Sequence, residues 1–183
     1  MDYFEIPICL FVFQRKDTVL QIIDRISQVK PRKMYLISDQ GRNEEERQRV
    51  AECRRVAENA INWKCELVKD YAQDNRGVFG NIGLGAKRVF EQEEVAIFLE
   101  DDNLPETTFF YYCKEMLERY RDNERIVWVC GTNYLGKYYN ETHDSYMFTQ
   151  HLLPCGWASW KNKYEKYYDA YFSHYNKNVT QRM

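Results

Sequence analysis

Val95-Ala96-Ile97-Phe98-Leu99-Glu100-Asp101-Asp102 is the stretch that decides the fold. Five apolar residues, too few for a helix and rich in β-favouring types, end abruptly on three carboxylates, as expected of a strand buried on both faces whose end emerges at a polar edge. Strands of that kind belong to parallel sheets covered by helices. The rest of the chain supplies the same alternation. Ile6 to Phe13 is a continuous apolar run closed by Gln14-Arg15-Lys16. Asp17 then caps a helix whose apolar stripe is Leu20, Ile23 and Ile26 to Val29, and Pro31 stops it. Met34 to Ser38 reads as a second strand, Asp39 to Asn43 as a turn, and Glu44 to Ala60 as a long charged helix. Trp63 to Val68 is expected as the third strand, Asp70 to Gly80 as a loop, and Ile82 to Phe90 as a short helix. After the acidic strand, Pro105 opens a helix to about Tyr120, and Ile126 to Cys130 is a further strand. The expected fold is α/β, a three-layer α/β/α arrangement on a mostly parallel, Rossmann-like nucleotide-binding sheet.

With 183 residues the chain holds one substantial core, so we read one domain, its regular part at about 1–136 and an aromatic segment at about 137–183. Apolar residues are 44% and charged residues 30%, ordinary for a soluble protein. A formal charge of -2, without a basic run, argues against nucleic-acid binding. No apolar stretch is long enough to span a bilayer, and the start lacks the pattern of a signal peptide. The six cysteines show no C-x-x-C spacing and read as buried free thiols of a reducing compartment. Together these point to the cytoplasm, with peripheral attachment to the inner face of the membrane left open. The three histidines, His143, His151 and His174, are too scattered for a zinc site.

In parallel α/β sheets, ligands bind outside the carboxyl ends of the strands. That rule gathers Arg15, Asp39 and Glu100-Asp101-Asp102 on one edge of one cleft. Crowded carboxylates repel unless a cation or hydrogen-bond donors satisfy them, and Mg²⁺ or Mn²⁺ does so through oxygen ligands; a solvated turn is the bland alternative. Gly80 to Arg88 looks like a phosphate loop but fails both familiar templates. Ala86 separates Gly85 from Lys87, Arg88 replaces the hydroxyl of a P-loop, and the first strand is followed by no glycine. Its glycines are read chiefly as turn and packing residues, with Lys87 or Arg88 in reach of a diphosphate. Gly156-Trp157-Ala158-Ser159-Trp160 is expected as a rigid turn opening an aromatic helix, either a packing element or a wall on which a sugar stacks. Aromatic residues are 16% of the chain, and packing against the core is the bland reading for them too.

The ordered set Phe13-Gln14-Arg15, Ser38-Asp39-Gln40-Gly41, Phe98 to Asp102, Asn133 to Lys137 and Leu153 to Trp157 resembles the GT-A glycosyltransferases. The likeness is greatest to bacterial sugar transferases and to the animal N-acetylglucosaminyltransferases of N-glycan branching. The resemblance implies a transferase that moves a hexose or N-acetylhexosamine from a nucleotide diphosphate sugar, UDP-sugars favoured, to a saccharide or glycoconjugate acceptor, as in polysaccharide biosynthesis. It further implies that Arg15 and Asp39 contact the nucleoside, that Glu100 and Asp101 border base, ribose or metal waters, and that Asp102, with Asp101, holds Mn²⁺ or Mg²⁺ in a DXD-like motif. Asn133, Gly156 and Trp157 would line the sugar and acceptor side. Relatives that invert the anomeric centre carry a general base beyond the Gly-Trp segment. Here the nearby carboxylates are Glu165 and Asp169, among Lys and Tyr on a predicted helix, so the expectation is a chain lacking a C-terminal part, able to bind donor and poor in transfer. Two other classes stay open. One is a noncatalytic or degenerate nucleotide-sugar or carbohydrate-binding domain. The other is a sugar nucleotidyltransferase, for which Phe13 to Asp17 lacks the glycine-rich loop.

Overall fold

The computed structural model describes residues 3–134, 136 and 145–168. Its order is β1 (Ile8–Val12), α1 (Lys16–Val29), β2 (Lys33–Ser38), α2 (Glu44–Ala60), β3 (Glu66–Tyr71), a π-helical turn (Phe79–Gly83) running into α3 (Leu84–Phe90), β4 (Val95–Glu100), α4 (Thr107–Arg119), β5 (Val129–Cys130), β6 (Trp157–Trp160) and α5 (Lys161–Tyr167). The sheet runs β3-β2-β1-β4-β6-β5. β1 pairs in parallel with β2 and β4, and β2 with β3, whereas β6 is antiparallel to both β4 and β5. The α/β, mostly parallel fold expected from the sequence is therefore present.

Alternation along the central strands sorts side chains into two cores. Ile8, Leu10, Val12, Met34, Leu36, Ile97 and Leu99 face α1, α2 and α4, burying Val19, Ile22, Ile23 and Ile26 of α1 together with Phe110, Cys113 and Leu117 of α4. Cys9, Phe11, Tyr35, Ile37, Ala96 and Phe98 face Ala86, Val89 and Phe90 of α3 and Tyr164 of α5. Helices on both faces leave β1, β2 and β4 no solvated side, which is why they read as unbroken apolar runs.

The structure differs from the sequence reading at several places: Asp17 lies in the first turn of α1 rather than capping it, and the strand expected over Ile126 to Cys130 shrinks to β5. The first strand is narrower than Ile6 to Phe13, because Pro7 and Phe13 lie outside the ladder with β2. The third strand is Glu66–Tyr71 rather than Trp63 to Val68: the Trp63 indole donates to the Pro31 carbonyl at 3.1 Å, and Lys33 pairs with Glu66. The larger change is at Gly156 to Trp160. Gly156 does make a turn, at φ 66°, but β6 follows it and the helix begins only at Lys161. All four residues of β6 are buried, Trp157 facing α5 while Ala158 and Trp160 face α4, and the segment covers the edge that β4 would otherwise expose. No helix among the described residues is long and apolar enough to cross a membrane.

Candidate functional site

The connection after β1 leads to β2 on one side, while β4 lies on the other side of β1, so the strand order reverses between β1 and β4. A crevice opens at such a point, outside the carboxyl ends. Asp101, first residue past β4, closes its base: one carboxylate oxygen accepts from the Phe13 amide at 3.0 Å and the other from Arg15 Nη1 at 2.5 Å. Asp101 is buried; the Arg15 side chain is 57% exposed and also reaches Asp102 at 3.2 Å. The Asp101 bond and charge raise the Arg15 pKa further. Asp102 points to solvent and accepts from Asn103 Nδ2 at 3.0 Å.

Glu100 is half-buried. Its pKa is raised by burial first and by the Asp102 and Asp101 charges next, against a smaller lowering by Arg15. Asn103 was not singled out in the sequence, yet its Oδ1 accepts from the amides of Glu100, at 3.2 Å, and Gly156, at 3.1 Å. It thereby joins the acidic turn to β6. An Asn directly after a strand-ending acid run is a turn signal that could have drawn attention to it.

Asp39 anchors the other half of the edge. It is 6% exposed, and its carboxylate accepts from the amides of Gln40 and Arg76, at 2.8 and 2.7 Å, and from Asn75 Nδ2 at 3.1 Å. The effect is to fix the loop after β3 against the end of β2. Arg54, on α2, does the same from behind, donating to Ser38 Oγ at 2.9 Å and to the carbonyls of Ser38, Asp39 and Ala72 at 3.3, 3.0 and 3.2 Å. Its sequence setting, a charged helix, hid that role.

The remaining expected residues divide. Asn133 donates to the Gly136 carbonyl at 2.7 Å, while Gly156 is tied to the acidic turn through Asn103, its own carbonyl accepting from Gly131 at 3.0 Å. Trp157 is sandwiched between Phe98, centroids 4.0 Å apart, and Trp128, at 3.7 Å, so both ring faces are filled by protein and neither is free to stack on a pyranose. Lys87 and Arg88 lie further down α3: Lys87 sits over the Tyr168 ring, and Arg88 is paired with Asp70 on β3. The structure does not bring them to the acidic turn. Glu165 is half-buried on α5; Asp169 and Lys137 lie outside the described residues.

Hard divalent cations take oxygen ligands, and Mg²⁺ is often held by one or two carboxylates completed by phosphate oxygens and water. Asp102 offers such a carboxylate. Asp101 does not while it holds Arg15 and the Phe13 amide, and the described residues contain no group of three or more His, Cys, Asp or Glu placed to hold a metal. The donor set fits a cation completed by a ligand's phosphates, not a centre built from protein alone. An open groove of about 400 Å³ is lined by Arg15 together with Gln14, Lys16, Asp17, Thr18, Arg49 and Glu52, but none of the acidic-turn residues lines it.

Fold and strand-end geometry together define a mixed α/β protein with a Rossmann-like, three-layer architecture. No family model matches the chain, and no curated protein does. Among solved structures, the crystal structure of 4-diphosphocytidyl-2C-methyl-D-erythritol synthase from Anaerococcus prevotii DSM 20548 is similar, with a TM-score of 0.52 and 13% identity over 91% of this chain and 77% of that one. At that identity the likeness is one of fold.

Proposed function

We propose that the chain is the donor-binding domain of a metal-dependent glycosyltransferase that takes a hexose or N-acetylhexosamine from a nucleotide diphosphate sugar to a saccharide acceptor. The observation that supports it is the carboxylate turn Glu100-Asp101-Asp102 at the end of β4, beside the reversal of strand order and crossed by Arg15. In this reading Asp102 is the direct ligand of Mn²⁺ or Mg²⁺, which when bound neutralises charge on the departing diphosphate. Asp101 acts through Arg15 and the β1 loop, holding both where a nucleotide would lie. Arg15, paired with Asp101 and Asp102 yet more than half exposed, is the cation that this turn presents to a bound nucleotide. Asp39 shapes the nucleoside side by fixing the 75–76 loop. Asn133 and Gly156 border the sugar side, and no residue is assigned as the base that deprotonates an acceptor, Glu165 and Asp169 being only the nearest carboxylates beyond the Gly-Trp segment.

Nucleotidyl transfer is the second reading, favoured by the fold shared with the erythritol synthase; against it, the loop Phe13 to Asp17 has no glycine to admit a triphosphate. Titration calorimetry with UDP, with and without Mn²⁺, tests the proposal. Metal should tighten binding, and Asp102→Asn should remove most of that gain. A folded Asp102→Asn protein that keeps the full gain refutes the metal role.

A further inference from the structure

The π-helical turn Phe79–Gly83 carries a polar side chain that no other part of the fold uses. Asn81 is 7% exposed, and its Oδ1 has no hydrogen-bond partner. A buried, unpaired acceptor destabilises the fold that carries it, and π-helical turns inside helices occur frequently at functional sites. This turn is also braced, since the Tyr164 hydroxyl donates to the Gly83 carbonyl at 2.8 Å.

The location of Asn81 follows from packing. Asn81, Gly85 and Val89 are all buried and recur every four residues, one line along the sheet-facing side of the turn and α3. Gly85 sits directly on the sheet: a Cβ there would lie 2.9 Å from Phe11 Cε1 and 3.3 Å from Ile37 Cδ1. α3 runs back from the carboxyl end of β3 toward the start of β4, so earlier residues in it lie nearer the carboxyl edge. Asn81, about one turn before Gly85 on the same buried side, therefore lies from Phe11 and Ile37 toward the carboxyl edge of the sheet, the edge where Phe13 and Asp39 make their bonds.

We propose that Asn81 is a specificity-determining residue of this crevice, its side-chain carbonyl accepting a hydrogen bond from the nucleoside part of the bound nucleotide. The inference rests on the nucleotide-sugar reading above and deepens it. A diphosphate at neutral pH offers acceptors and no donors, so it cannot satisfy Oδ1. The donors of a uridine nucleotide are the ribose hydroxyls and the base imide, and both belong to the nucleoside. Asn81 therefore orients the ligand, nucleoside toward α3 and phosphates toward Asp102.

Asn81→Ala and Asn81→Leu, compared with the wild-type chain, test this with two readouts. In the free protein both variants should melt at or above the wild-type temperature, because an unpaired acceptor has been removed. Calorimetric affinity for UDP should fall roughly 3- to 10-fold, the size of one neutral hydrogen bond, while affinity for inorganic pyrophosphate stays unchanged. The deficit should vanish against either 2′,3′-dideoxy-UDP or 3-methyl-UDP, which tells ribose from base. If the wild type binds UDP and both variants bind it equally well, the inference falls and the donor-binding reading stands. A melting point several degrees lower in both variants would make Asn81 structural, paired through an internal water, and also overturns it. Absence of UDP binding in the wild type refutes the donor-binding reading, and this inference with it.

Discussion

Replacing Asp101 by Ala should destabilise the free protein although the residue sits in a loop of like charges. Its two oxygens hold the Phe13 amide at 3.0 Å and Arg15 at 2.5 Å, and Asp101 is buried. A hydrogen bond to a charged group contributes about 1.5–3 kcal/mol. The ion pair adds only about 0–1 kcal/mol, because Arg15 is more than half in water and its Coulomb gain is screened. Relief of repulsion with Glu100 and Asp102 offsets part of the sum, leaving a loss of about 2–3 kcal/mol. For a chain of this size that is a fall of about 4–12 °C in melting temperature. Asp101→Asn keeps an acceptor for the Phe13 amide and should lose about 1 kcal/mol. Asp102→Asn, at an exposed position, should stay within about 0.5 kcal/mol of wild type. Urea denaturation at pH 7 in chelator-containing buffer measures all three. An Asp101→Ala variant as stable as wild type, or an Asp102→Asn variant as damaged as it, refutes the division of the turn into a structural and an exposed carboxylate.

Arg54→Met should lose about 2–4 kcal/mol in the same assay, because the carbonyls of Ser38, Asp39 and Ala72 lose a shared cationic donor; Arg54→Lys, with one ammonium in place of a fork, should recover less than half. Burial, reinforced by the Asp101 and Glu52 charges, lifts the Cys53 thiol to about 11. The native state then holds that proton where the unfolded chain, at about 8.5, has released it, so stability should fall as pH rises from about 8.5 to 11. Cys53→Ala should flatten that part of the urea-midpoint profile, and an unchanged slope would show that Cys53 does not contribute.

Most of the sheet was legible in the chain because burial on both faces leaves a local signature: β1, β2 and β4 are unbroken apolar runs, and the acids after Leu99 mark where such a run meets solvent. Helix α1 was legible from its apolar stripe, although Leu20, expected in it, is exposed while Val19 and Ile22 are buried, and α4 was legible from Pro105 near its start. Gly156 to Trp160 was not. The four residues Trp157 to Trp160, two of them tryptophans, suit a strand or a helix equally, and only β4 on one side and β5 on the other make them β6, with Trp157 filled on both faces. The candidate site divides in the same way. Sequence alone placed Arg15, Asp39 and Asp102 on one edge, since strand ends follow from strand positions. The Asp101 bonds to Phe13 and Arg15 and the Arg54 bonds to two strand ends join residues 15 to 88 positions apart, and the burial of Asn81 depends on how its turn packs on the sheet. No local pattern encodes such contacts, because a hydrogen bond is decided by distance and direction in three dimensions, and those exist only once the layers have packed.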